Sequence, residues 1–132
     1  MDKNTIPSTP PMLDTENPVV KMCIAGTQAE FQGQLESAAA LYMQAWQLAT
    51  DDYEACIAAH YVARSQNDLV ETLCWNQTAL LHADAVENEK VKDFYPSIHL
   101  SMGRSHELLG NQPEAEKYYA LAAALGITHQ DE

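Results

Sequence analysis

The stretch Gly26–Ala45, GTQAEFQGQLESAAALYMQA, carries Gly26, Gly33, Ala38, Tyr42 and Ala45 at successive spacings of seven, five, four and three. A second stretch, Gly103–Ala122, GRSHELLGNQPEAEKYYALA, keeps all five as Gly103, Gly110, Ala115, Tyr119 and Ala122, seventy-seven residues downstream. Self-similarity at fixed spacing is the mark of a helical repeat array, in which each unit is a helix pair that buries a core only by stacking on its neighbours. Gly33 and Gly110 stand where the chain turns from the first to the second helix of a pair.

These residues resemble the tetratricopeptide repeat (TPR) family. In that family a small residue stands at the eighth position of a 34-residue unit, Gly at the fifteenth, and Ala, an aromatic and Ala at the twentieth, twenty-fourth and twenty-seventh. The resemblance implies an all-α, right-handed stack of helical hairpins, about three repeats and six main helices, with repeats near 19–52, 53–86 and 96–129. The middle repeat departs from the pattern, with His60 at position eight, Asn67 at fifteen, Thr72 at twenty and Asn76 at twenty-four; only Ala79 keeps it. Asn67 is expected to take the left-handed turn in place of Gly. The spacing of Asp51 with Glu54, Asp68 with Glu71 and Asn111 with Glu114 predicts capping boxes at three helix starts. Asn17 followed by Pro18 predicts the first helix start, Gly126 a helix C-terminus, and Trp46 a cover for the next repeat. Residues 87–95 exceed the repeat length by nine, which predicts either longer flanking helices, with Pro96 kinking the second, or a loop.

At 132 residues, with 46% apolar and 20% charged residues, the chain reads as one folded domain. Residues 1–17, with Pro7, Pro10 and Pro11 among polar residues, read as an extended or disordered arm, 18–129 as the repeat domain and 130–132 as a tail. A net charge of −12 with seven basic residues excludes nucleic acid and anionic membrane surfaces as partners. No apolar run reaches the eighteen or more residues of a membrane span, and no basic segment precedes an apolar one at the N-terminus, so the expected location is cytoplasmic. Cys23, Cys56 and Cys74 are odd in number and lack CxxC spacing, which predicts buried free thiols.

The nucleotide-binding and hydrolase signatures GxGxxG, GxxxxGK[ST], HExxH and GxSxG do not occur, so no enzyme activity and no cofactor or metal is expected. His99 and His106 share a helical face but stand about 10 Å apart along it, too far to share a metal ion. Asp84, Glu87 and Glu89 read as a solvated acidic surface.

The function implied by the resemblance is protein–protein interaction, with a peptide or protein segment held in an inner groove formed by the first helix of each repeat, as in an adaptor or regulatory protein. Carried onto this chain, the groove positions give Thr27 and Phe31 in the first repeat, Ile57, Tyr61 and Arg64 in the second, and Leu100, Arg104 and Glu107 in the third. The chain's two arginines both fall there. Bidentate carboxylate contacts and aromatic packing then point to an extended partner. Pairing of Arg64 with Glu30 or Glu107 is the alternative use of that charge. The other functional reading is a self-assembling structural protein, a homodimer through exposed repeat ends.

Overall fold

The computed structural model describes residues 14–86 and 89–125. Six α-helices follow one another: α1 Pro18–Phe31, α2 Leu35–Leu48, α3 Asp52–Arg64, α4 Leu69–Ala85, α5 Tyr95–Leu108 and α6 Gln112–Ala124, with a 3-10 segment, Glu89–Phe94, ahead of α5. The fold is all-α, and no strand occurs among the described residues. Sequence neighbours pair as hairpins α1–α2, α3–α4 and α5–α6, and the hairpins stack through α2–α3, α1–α3 and α4–α5.

The repeated residues explain the first and third hairpins. Gly26 lies so close to the ring of Tyr42 that an added Cβ would overlap it, and at Gly103 a Cβ would lie 2.6 Å from Tyr119. The tyrosine of one helix thus seats on the bare backbone of the other, and any larger residue forces the pair apart. Both hairpins reverse at a glycine in the left-handed region, Gly33 at φ 79° and Gly110 at φ 83°. Ala38, Ala45, Ala115 and Ala122 are all buried.

The middle hairpin is built differently. No non-glycine residue among those described has positive φ, so Asn67 does not make a left-handed turn. The connection 65–68 has four residues where 32–34 and 109–111 have three, and the extra residue turns the chain without that conformation. His60 packs its ring against Phe94 of the 3-10 segment, with ring centres 5.1 Å apart, and Asn76 Nδ2 donates to Ser105 Oγ at 2.9 Å on α5. Within 87–95, residues 89–94 form a 3-10 turn, neither an extension of a flanking α-helix nor an open loop, and it delivers Val91 and Phe94 into the core. Pro96 sits in the first turn of α5, where its missing N–H has no partner to lose, and it does not kink the helix interior.

Helix ends follow the sequence in part. Asn17 caps α1, its Oδ1 accepting from Val19 N at 2.8 Å and Val20 N at 3.3 Å. Residues 14–17, assigned above to the arm, are tied to α3: Asp14 N donates to the Tyr53 hydroxyl at 3.2 Å and Asn17 Nδ2 to Glu54 at 2.9 Å. Asp51 caps α3 by accepting from Glu54 N, while the Glu54 carboxylate reaches back to Thr50 N at 2.9 Å, one residue before the capping-box position. Asp68 caps α4 through Val70 N. Asn111 makes no side-chain cap on α6 and instead faces His106 Nδ1 at 3.5 Å. Cys23 and Cys56 are buried, with thiols pushed up to about 12 by burial, but Cys74 is exposed. Pro7, Pro10, Pro11, Glu87, Gly126 and the tail 130–132 lie outside the described residues.

Candidate functional site

The groove residues separate into two groups. Thr27, Ile57, Tyr61 and Leu100 are buried, Ile57 and Tyr61 within the hydrophobic core. Thr27 Oγ1 lies 3.1 Å from the Cys23 carbonyl and 3.2 Å from the Tyr42 hydroxyl, and the Tyr61 ring centre is 5.5 Å from that of Tyr42. Phe31 at 76% exposure, Arg64, Arg104 and Glu107 reach solvent. The surface offered to a partner is therefore an arginine- and glutamate-bearing one, with the aromatic Tyr61 supporting it from beneath.

The helices set the charges in a fixed pattern. Glu30, at the last turn of α1, accepts the Tyr42 hydroxyl at 2.6 Å on one oxygen and Arg64 Nη2 at 2.7 Å on the other. Burial pushes the Glu30 carboxyl up, but the hydrogen bonds from Arg64 and Tyr42 outweigh it and hold it below its usual range. The Arg64 guanidinium lies 5.9 Å from the Tyr61 ring centre. At the third hairpin Tyr119 donates to Glu107 at 2.5 Å, the same hydroxyl-to-carboxylate device seventy-seven residues on.

Arg64 and Arg104 both line an open pocket of about 170 Å³ between α3, α4 and α5. His60, Asn76 and Ser105 line it as well, with Thr72 and Ser101. Within this lining, Asn76 Oδ1 and His60 Nδ1 are buried without a hydrogen-bond partner. Burial, then the Arg64 charge, push the His60 imidazole down to about 4, so it is neutral near pH 7. A second cavity, about 280 Å³, opens on the other side of Arg64 between Glu30, Tyr42 and Asn67. The two guanidiniums thus stand beside one pocket among hydroxyl and amide groups, Arg64 with Glu30 already on its Nη2.

No family model, curated protein or solved structure matches the chain.

His60 and Asn76 were not among the groove positions. The sequence signal for them was the double departure at positions eight and twenty-four, where glycine and tyrosine would complete the repeat. His99 and His106 stack on one ring, Tyr118 of α6, at 6.1 Å and 5.7 Å. Among the described residues no group of three His, Cys, Asp or Glu side chains is placed to hold a metal ion. No described helix is long and apolar enough to cross a membrane.

Proposed function

We propose that this chain is a TPR-type interaction module that holds an acidic, carboxylate-bearing segment of a protein partner on the face carrying Arg64 and Arg104. The observation that carries the reading is the convergence of the only two arginines of a chain of net charge −12 on one cavity. Exposed Phe31 and Leu108 extend the face with apolar area on α1 and α5. Arg64 shares Glu30, and reversing it would also break that pair, so the reversal is made at Arg104.

The test is calorimetric titration of a short polyglutamate peptide into wild type and Arg104→Glu. A charge-assisted hydrogen bond contributes about 1.5 to 3 kcal/mol, so the reversal weakens binding by about tenfold or more. Equal affinity for the two proteins contradicts the reading.

Self-assembly through a repeat end is the second reading, supported by exposed Leu121 on α6 and Leu125 just after it. The face of α6 that matches the stacking stripe of α2 argues for the module instead. Ala39, Met43 and Trp46 on α2 correspond, seventy-seven residues on, to Glu116, Ala120 and Ala123, all exposed. Such a polar, small-residue outer face suits a terminal repeat facing water. Light scattering across a dilution series then gives a monomer, whereas a dimer that persists on dilution favours assembly.

A further inference from the structure

The turn from α2 to α3 carries an open pocket of about 500 Å³, of the size that holds a small molecule, and neither arginine lines it. Trp46, from the end of α2, forms one wall and His82, from α4, another, with ring centres 5.9 Å apart and planes at 68°. Trp75 meets the same indole at 5.1 Å and 87°, which fixes its setting from the side of α4. Ala49 and Ala55 are too small to fill the space between these rings and the carboxylates of Asp51 and Asp52 at the start of α3.

The lining selects a cation. Asp51 and Asp52 bring two negative charges, and among the described residues no lysine or arginine lines the pocket. The start of α3 sets only about half a positive charge against them. An indole attracts a cation through its ring quadrupole, and tryptophan does so best of the aromatic side chains. The hydrogen bonds narrow the choice further. Asp51 already accepts Glu54 N at 2.8 Å, Asp52 Oδ1 lies 2.8 Å from His82 Nδ1, and Thr50 Oγ1 donates to Glu54 at 3.1 Å. A primary ammonium has three N–H groups to satisfy and would leave water for a wall of engaged acceptors and an indole. A quaternary ammonium has no N–H, so it loses no hydrogen bond on entering.

We infer that the pocket between Trp46, His82 and the start of α3 binds a quaternary ammonium group, its methyls against the indole and its charge beside Asp51 and Asp52. This is independent of the arginine-bearing face, which is a different pocket and takes a ligand of the opposite charge. Two sources present the group in soluble form: a free small cation of the choline type and the trimethylated lysine side chain of a partner protein.

The experiment follows the intrinsic fluorescence of the whole chain, whose two tryptophans are Trp46 and Trp75, during titration with choline. The comparison probes are the neutral carbon analogue of choline, with a tert-butyl group for the trimethylammonium, and ethanolamine, which keeps the charge but adds N–H groups. Choline is expected to give a saturable change and to bind at least about fivefold tighter than the neutral analogue and about threefold tighter than ethanolamine. Asp52→Asn keeps the side-chain shape and removes one charge; it is expected to weaken choline by about threefold and to leave the neutral analogue unchanged. Trp46→Phe keeps a ring with a weaker pull on cations, and with Trp75 as reporter it is expected to weaken choline as well. Absence of a saturable response, equal affinity of choline and either comparison probe, or unchanged choline affinity in Asp52→Asn overturns the inference. A pentapeptide with a central trimethyllysine is compared with its unmodified lysine form. Tighter binding of the trimethyllysine peptide than of choline assigns the site to a partner's side chain, and binding of choline without the peptide assigns it to a free cation; both support the inference.

Discussion

Gly103 and His60 show how one side chain decides local packing. Adding a methyl group at Gly103 puts it 2.6 Å from the Tyr119 ring, so Gly103→Ala overpacks the hairpin by about 1 to 3 kcal/mol, partly offset by about 1 kcal/mol of helix propensity. Combining it with Tyr119→Asn relieves the clash, and a thermal-melt double-mutant cycle is expected to show favourable coupling; additive effects would mean that the two residues do not meet. His60 makes a pH prediction. Its folded-state value of about 4 lies below the ordinary 6.5, so between those pH values the unfolded chain binds a proton that the folded chain refuses. Stability is fully present above about 6.5 and falls as pH drops toward 4, by about 2 kcal/mol at pH 5. His60→Phe keeps the aromatic contact with Phe94 and is expected to lose less stability than wild type between pH 7 and pH 5. Equal losses in chemical denaturation would contradict it.

At the level of elements, the sequence was most legible where one residue type answers one geometric demand. Glycine at Gly33 and Gly110 marked left-handed turns, and Asn17 before Pro18 marked a helix start, because each pattern has a single local cause. It was least legible where tertiary packing chose the outcome. Nothing local to residues 89–94 says that a 3-10 turn will bring Phe94 onto His60, since that depends on the ring that His60 supplies, twenty-nine or more residues earlier, where the other hairpins have glycine. Asn67 misled for a similar reason: the four-residue connection removed the demand that Asn was expected to meet. At the candidate site, register brought Arg64 and Arg104 to one pocket, whereas Thr27, Ile57, Tyr61 and Leu100, placed in the groove by the same register, are buried. The 3-10 segment gives the element-level prediction. Phe94 is fully buried, so Phe94→Ala should cost about 3 to 5 kcal/mol by denaturant titration, a core penalty rather than a loop one. A loss below about 1 kcal/mol would place residues 89–94 outside the core.

Taken as a whole, the molecule is an acidic stack with its two arginines gathered at one place. Self-repulsion at a net charge of −12 is screened by salt, so the melting midpoint is expected to rise between low and physiological ionic strength. Salt acts oppositely on binding of an acidic segment, which it weakens. The two tryptophans give an internal contrast, because Trp46 and Trp75 meet at 5.1 Å beside cavities that do not include Arg64 or Arg104. The most direct measurement is therefore a map of amide and arginine shifts on adding polyglutamate. Changes are expected to concentrate at Arg64, Thr72, Ser101 and Arg104 and to be absent in Arg104→Glu. Changes centred on Trp46 and Trp75, or none at the arginines, would contradict it.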